Sequence, residues 1–499
     1  MTTIGRKMAS GATWMVLAVL VQRSVGLLST LILARVLVPH DFGIVAMAMT
    51  FVALLEMLGS FGFDVALIQR QTTERRYWDT VWTLEVILGV CVAGVMIVGA
   101  HPVAAFFKEP ALVNVLYVLA IGSAVQGCQN IGLVAFRTEM RFDREFKFLT
   151  AKKLASFVVT VPLAIAFDSY WALVIGQTVG RIAGTALSYW VHPYRPRLSL
   201  AAARELFHFS KWLLAISFMQ YLRDRSSDWI IGRAAGPAAL GSFNVSYELA
   251  SLPSTELIAP INRAVFPAYA QLAKEGGDAL RREYLTVIAM IVLIATPAIL
   301  GITATAPVLV PVLLGPNWNQ AVPVLMLLGF FGFTNMIQSN AQAAYLALGR
   351  ADIPAKLNTL NVAVQLAAVI PLTHKYGVIG AAAGYLITAA VVIPISLGVV
   401  LRMLKIGAQE FVVQIWRPML AAVVMYLAVR EYLQVVGAAT GPTAVLHLAV
   451  AVAIGSCVYV GLISLLWVWS GKPAAAELAA FRRALELMGR FLARKPALT

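Results

Sequence analysis

Charge is scarce in this sequence. Asp, Glu, Lys and Arg together make up 13% of its 499 residues, against about a quarter in a soluble protein. No stretch is long and polar enough to form a separate soluble domain. Cysteine is scarce too: Cys91, Cys128 and Cys457 lie far apart in apolar runs, so no disulfide framework is expected. His40, His101, His192, His208, His374 and His447 show no metal-ligand spacing, and no metal site is expected. A phosphate-cradling glycine loop is missing, which leaves direct use of ATP without support. No catalytic constellation appears. The predicted outside loops are short, which argues by analogy against a membrane glycan polymerase or ligase with a large outside catalytic loop.

What is abundant is apolar length. Hydrophobic residues make up 60% of the chain, and its mean hydropathy is +0.80. Runs of about 20 apolar residues, enough to cross a hydrocarbon core, recur from end to end. The first, Ala12 to Ala34, is too long for a signal-peptide core and is read as a retained helix. The spacing predicts an all-α integral membrane protein with fourteen transmembrane helices, at 12–34, 43–67, 81–100, 111–135, 153–167, 171–191, 211–232, 238–260, 285–306, 321–347, 354–372, 377–401, 411–429 and 444–469.

The basic residues test that count. With the N-terminus in the cytoplasm, 29 of the 39 Lys and Arg fall in cytoplasmic segments, 5 fall outside and 5 lie within apolar runs. This is the positive-inside bias. One missed helix would invert every later loop and destroy it, so both termini are expected in the cytoplasm. The formal charge of +15 is thereby a membrane signal, not one for nucleic acid. From Ala474 to Lys495 the residues Leu478, Phe481, Leu485, Met488 and Leu492 recur at helical spacing. Such a helix would lie on the anionic cytoplasmic leaflet.

A shift of 198 residues brings punctuating residues into register. Trp14 meets Trp212, Gln22 meets Gln220, Arg35 meets Arg233, Pro39 meets Pro237, and Gly43 meets Gly241. Six helices separate the copies, so both point the same way, and a pseudo-twofold along the membrane normal is expected, as in transporters built of two parallel halves. The predicted division is an N-lobe of helices one to six (1–200), a C-lobe of helices seven to twelve (201–405), two further helices (406–472) and the cytoplasmic tail (473–499). A cavity between two such lobes is the expected place for a substrate.

Ionised groups within a bilayer are costly and normally face a cavity or a partner. Arg23 and Arg181 stand alone in mid-span, and Arg223, Asp224, Arg225 and Asp228 cluster in helix seven. Arg225 and Asp228 are i,i+3 neighbours. Guanidinium suits phosphate because its planar donors bind two oxygens at once. The plainer reading of the cluster is an ion pair within the helix that neutralises itself. Glu56, Asp64 and Glu85 in the first half, and Glu248 and Glu256 in helix eight, are candidates to pair with the arginines or to bind a coupling cation or proton. Asp64 also suits a helix end. Arg35 and Arg233 fit interfacial anchors as well as ligand contacts.

Four stretches carry a family resemblance. They are Leu33-Ala34-Arg35-Val36-Leu37-Val38-Pro39-His40-Asp41-Phe42-Gly43, Gly62-Phe63-Asp64-Val65-Ala66-Leu67-Ile68-Gln69-Arg70, Phe136-Arg137-Thr138-Glu139-Met140-Arg141-Phe142, and the run from Arg225-Ser226-Ser227-Asp228 through Gly232 and Leu240-Gly241 to Phe266-Pro267. In combination they resemble the Wzx-type polysaccharide flippases, in the superfamily that holds the multidrug exporters of the MATE kind and the peptidoglycan lipid flippase. The resemblance implies a transporter, not an enzyme. Its implied substrate is an undecaprenyl-pyrophosphate-linked oligosaccharide, moved from the cytoplasmic to the outer leaflet of the bacterial inner membrane by alternating access. The product would serve a surface polysaccharide such as an exopolysaccharide, a capsule or the O-antigen of lipopolysaccharide.

By the same resemblance, Arg23, Arg181, Arg223 and Arg225 would hold the pyrophosphate, with Asp224 departing from a purely cationic wall. Membrane lipids, a polysaccharide polymerase and chain-length machinery are the implied partners. No cofactor is implied, and coupling to H+, Na+ or the membrane potential stays open. The alternatives are a multidrug or small-solute exporter on the same fold, which would favour a smaller, aromatic and acidic cavity, and a membrane glycan polymerase or ligase.

Overall fold

The computed structural model describes residues 3–59, 62–70, 74–275, 278–437 and 441–471. The chain is helical throughout these residues, with no strand among them. Helices occupy every one of the fourteen sequence-predicted positions. Nine, among the described residues, are long and apolar enough to cross a membrane, and a bent pair makes a tenth. The predicted amphipathic tail lies outside the described residues.

The chain divides into two compact units, 1–242 and 243–499. The first holds α1 (Thr3–Val36), α2 (Pro39–Gly59), α3 (Phe63–Arg70), α4 (Arg75–Phe107), α5 (Leu112–Gly127), α6 (Val134–Thr138), α7 (Phe142–Phe167), α8 (Trp171–Val191) and α9 (Ala203–Ala235). It also takes the start of α10 (Pro237–Leu252). The compactness boundary therefore falls one helix beyond the 200/201 lobe boundary read from the repeat, because α9 packs on α2, α3 and α4.

Several predicted helices are not continuous. The segment predicted at 43–67 is broken into α2 and α3, with Gly62 at φ 63° just before α3. Glycine alone adopts that backbone without cost. The segment predicted at 111–135 is bent by 63° between α5 and the turn at Ile131. Buried Asn130 makes this break stable. Its Oδ1 accepts from the Gly132 N–H at 2.9 Å, and its Nδ2 donates to the carbonyls of His192 and Tyr194 at 3.3 and 2.7 Å. Backbone groups released at a helix break must find such partners inside a membrane protein.

The predicted helix at 153–167 starts much earlier, at Phe142. This correction carries the basic residues Arg144, Lys147 and Lys152 onto α7 and moves Lys153 from its first residue into its interior. Helix α8 packs along it through small residues, which drive helix association where water supplies no hydrophobic force. Gly176 abuts Thr160, and a Cβ on Gly180 would lie 2.9 Å from that of Ser156.

The second unit continues α10 through a wide π-turn, Pro253–Ile258, into α11 (Ala259–Glu275). The single helix predicted at 238–260 is thus corrected to two helices joined by this turn, where Pro253 removes a backbone donor. Then follow α12 (Ala279–Leu313), α13 (Ala321–Ala347), α14 (Asp352–Met403), α15 (Ala408–Val436) and α16 (Pro442–Trp469). Helix α14 folds sharply at Gly377, φ 61° and ψ −140°, and so contains the two segments predicted at 354–372 and 377–401. Tyr269, Tyr284 and Tyr345 lie buried where α11, α12 and α13 pack together. Phe243, Tyr247, Phe331 and Tyr385 form a second aromatic cluster, with 4.9 Å between the rings of Phe331 and Tyr385.

Candidate functional site

In the first unit, five helices bring polar residues together at mid-chain depth. Arg181 on α8 is 11% exposed. Its guanidinium donates to Glu56 Oε1 on α2 and, at 2.8 Å, to Ser123 Oγ on α5. Gly122 leaves room for the arginine stem, its missing Cβ being 3.1 Å from Arg181 Cδ. Lys152 on α7 lies within electrostatic reach of both Arg181 and Glu56, and its stem passes over Gly184 of α8. Lys153 turns to α1, where a Cβ on Gly26 would lie 3.7 Å from its ammonium. Arg23 stands one helical turn before Gly26 on that helix and is exposed.

A basic belt of Arg23, Lys152, Lys153 and Arg181 results. Sequence reasoning finds its two arginines and misses its two lysines, because these stand at the edge of the apolar run and count with the cytoplasmic charges before it. The available signal was the shortness of the predicted 153–167 segment, too short to span unless it began earlier.

Arg223 and Asp224, adjacent on α9, pair with each other at 2.9 Å and are both well exposed. Arg225 and Asp228 pair at 3.1 Å, with Asp228 only 5% exposed and Arg225 42% exposed. Thr50 Oγ1 of α2 donates to Asp228 Oδ2 at 3.3 Å. Around them, Tyr221 donates to the Thr50 carbonyl at 3.0 Å, and Trp229 Nε1 donates to the Tyr221 hydroxyl at 2.6 Å. Trp229 stacks on Phe107 with centroids 5.2 Å apart. Asp228 is therefore engaged in the α2–α9 seam, while Arg225 keeps part of its guanidinium open.

Glu56, Asp64 and Glu85 line one cavity of about 470 Å³ in this unit. Two further charged residues line it: Arg137, which the sequence offers only within its resemblance stretch, and Glu145, which it does not offer. Arg137 bridges Asp64 at 3.5 Å and Glu145 at 2.7 Å. The second and third resemblance stretches thus meet here through Asp64 and Arg137. Glu145 is 7% exposed, and its Oε2 accepts no hydrogen bond among the described residues. Glu85 has neither a hydrogen bond nor an ion pair among them, and Asp64 lies within electrostatic reach of it. Carboxylates so gathered can hold a cation or share a proton. Glu248, exposed on α10, and Glu256, in the π-turn, belong to the second unit, outside this cavity.

Known proteins place this architecture. The family model described as "Polysaccharide biosynthesis protein" matches residues 32–323, more than half of the chain. The lipopolysaccharide biosynthesis protein WzxC of Escherichia coli (strain K12) is 26% identical over 427 residues, covering 83% of this chain and 85% of that one. The succinoglycan biosynthesis transport protein ExoT of Rhizobium meliloti (strain 1021) is 27% identical over 452 residues, covering 87% and 88%. Among solved structures, the lipid II flippase MurJ in an inward closed conformation superposes with a TM-score of 0.71 at 11% identity, covering 90% of this chain and 98% of that one. A multidrug resistance MATE family transporter in an inward-facing conformation gives 0.59 at 17% identity, covering 78% and 96%. The fold is that of these all-helical transporters, and the protein is a multi-pass membrane protein. With the family model matching over most of the first unit and into the second, the chain belongs to the polysaccharide biosynthesis protein family.

Proposed function

We propose that this protein is a flippase that moves a lipid-pyrophosphate-linked oligosaccharide from the cytoplasmic to the outer leaflet by alternating access. The observation that carries this reading is the basic belt of Arg23, Lys152, Lys153 and Arg181 on apolar helices. Cations are retained at such depth where they serve a polar cargo, and pyrophosphate is the anionic part of this one. The named functions of the relatives, lipopolysaccharide biosynthesis and succinoglycan transport, support the same cargo class. The lipid tail stays in the bilayer while the head crosses a hydrated path.

The reading includes fourteen spans divided six, six and two, both termini in the cytoplasm, and residence in a bacterial inner membrane. It also includes an undecaprenyl-type carrier, with Arg223 and Arg225 as further pyrophosphate contacts. A polysaccharide polymerase and chain-length machinery would receive the product. The acid-lined cavity supports coupling to H+ or Na+, with Glu85 as the group that takes up the cation.

The test reconstitutes the full chain with a fluorescent lipid-linked sugar and measures leaflet transfer. The expected result is acceleration over empty vesicles, reduced about tenfold in Lys152→Gln. That factor corresponds to the loss of one charge-assisted contact to phosphate. Glu85→Gln is expected to remove dependence on the ion gradient. Transfer no faster than in empty vesicles, with the correct glycan and gradient supplied, would sink the reading.

A further inference from the structure

A second cavity, of about 330 Å³, lies between the start of α7 and the end of α8. Arg144 and Lys147 stand at it, one turn apart on α7, with Phe148, Leu187 and Trp190 as apolar walls. Neither basic side chain makes a hydrogen bond or ion pair among the described residues. No carboxylate is among the described residues that line the cavity. Of the two carboxylates on the first turn of α7, Asp143 makes no ion pair among the described residues, and Glu145 faces the acidic cavity and is taken by Arg137. Arg195 adds positive charge beyond the end of α8, its guanidinium held by the carbonyls of Tyr189, His192 and Tyr194.

The surroundings define the ligand further. Trp190 is 84% exposed, as befits an amphipathic ring at a membrane interface. On α7 the face that bears Lys147 continues through Leu154, Val158 and Ile165, all exposed. On α8 the face of Trp190 continues through Ile182 and Ile175, also exposed. Helical spacing keeps each series on one stripe. Two unpartnered cations therefore stand at the head of a groove with two apolar flanks. The charge pattern puts that end at the cytoplasmic face.

We propose that this groove binds an anionic glycerophospholipid, its phosphate held by Arg144 and Lys147 and its two acyl chains laid along the exposed stripes of α7 and α8. Charge complementarity selects an anionic lipid, since no carboxylate among the described lining residues balances the two cations. The lipid would brace the helix pair that carries Lys152, Lys153 and Arg181. This inference rests on the membrane fold and not on the flippase reading, and its test needs no transport.

The test uses the full chain, released from nanodiscs of mixed phosphatidylglycerol and phosphatidylcholine, with retained lipids identified by native mass spectrometry. Wild type is expected to retain phosphatidylglycerol about 25-fold over phosphatidylcholine, since each of the two cations contributes about a fivefold preference. The double variant Arg144→Gln/Lys147→Gln should retain the two lipids equally. Arg144→Lys/Lys147→Arg, which keeps both charges, should restore the preference, and Arg402→Gln, in the last turn of α14 and not in the groove lining, should leave it intact. Equal retention by wild type would overturn the proposal, as would an undiminished preference in the double glutamine variant. Displacement of phosphatidylglycerol by polyprenyl pyrophosphate at equal concentration would also overturn it, by assigning the groove to the cargo.

Discussion

The backbone at Gly43 lies directly against the carbonyl of Pro237, so that a Cβ at Gly43 would coincide with that oxygen. The relation is reciprocal, because a Cβ at Gly241 would fall on the carbonyl of Pro39 and 2.9 Å from the Gly43 nitrogen. These four residues are the repeated Pro-x3-Gly of the two sequence copies. The repeat is therefore a contact as well as a pattern. Each proline starts a helix, at α2 and α10, and each glycine lets the other copy's helix start approach it.

Substitution at this crossing should be costly. Gly43→Ala and Gly241→Ala are each expected to destabilise by about 1–3 kcal/mol, because backbone cannot yield as a side-chain tip can. Gly94→Ala, on α4 with nothing within 4 Å of its Cβ position, should be neutral or stabilising by less than about 1 kcal/mol. Thermal unfolding of the purified variants in one detergent measures the difference. Equal behaviour of Gly43→Ala and Gly94→Ala would refute the crossing.

Removing Arg225 strands a carboxylate. In Arg225→Ala, Asp228 keeps, among the described residues, only the Thr50 hydroxyl as a side-chain partner in the α2–α9 seam. The expected cost is about 1–3 kcal/mol, below that of a fully buried pair because Arg225 is 42% exposed. Arg225→Ala/Asp228→Asn should recover much of that loss, and a double-mutant cycle reads the coupling. Arg225→Ala should also impair transport while the protein still inserts. Wild-type export by the single variant would reduce Arg225 to a structural role.

Acidification should loosen the joint that follows α8. His192 lies outside the membrane-spanning helices, with its Nδ1 accepting the Tyr194 N–H at 3.2 Å and its ring edge-on to Phe136. Burial lowers its pKa from 6.5, and Arg144, Arg195 and Arg141 act in the same direction against the opposing effect of Glu139. The folded state thus binds the proton less readily than the unfolded one. Its contribution to stability is present above about pH 6.5 and is lost as pH falls through the folded pKa. The unfolding temperature is expected to drop between about pH 6.5 and 5 in wild type, and to drop less in His192→Gln. Parallel curves for the two proteins would remove His192 as the cause.

Much of the candidate site was legible in the chain because ionised residues are conspicuous in apolar runs. Arg23, Arg181 and Arg225 needed no structure to be noticed. Lys152 and Lys153 were hidden by the same contrast. Six basic residues from Arg137 to Lys153 depress local hydropathy, so the apolar run starts only at the last of them although the helix begins at Phe142. Glu145 and Arg137 were obscured in that same charged stretch.

The linear order of side chains determined that the chain is a membrane protein, where most of its helices lie and that a Pro-x3-Gly pattern recurs 198 residues on. Those properties are local sums of transfer energy and spacing, which a sequence records directly. Tertiary structure alone decided which polar groups meet. Arg181 is bound to Glu56, 125 residues away, and Asp228 to Thr50, 178 residues away. Asn130 holds a helix break through carbonyls that arrive 62 and 64 residues later. Such pairings depend on how helices pack, and no local pattern encodes the partner. For the same reason, the cations at Arg144 and Lys147 read as loop charges in the sequence and become the head of a groove only when α8 lies beside them.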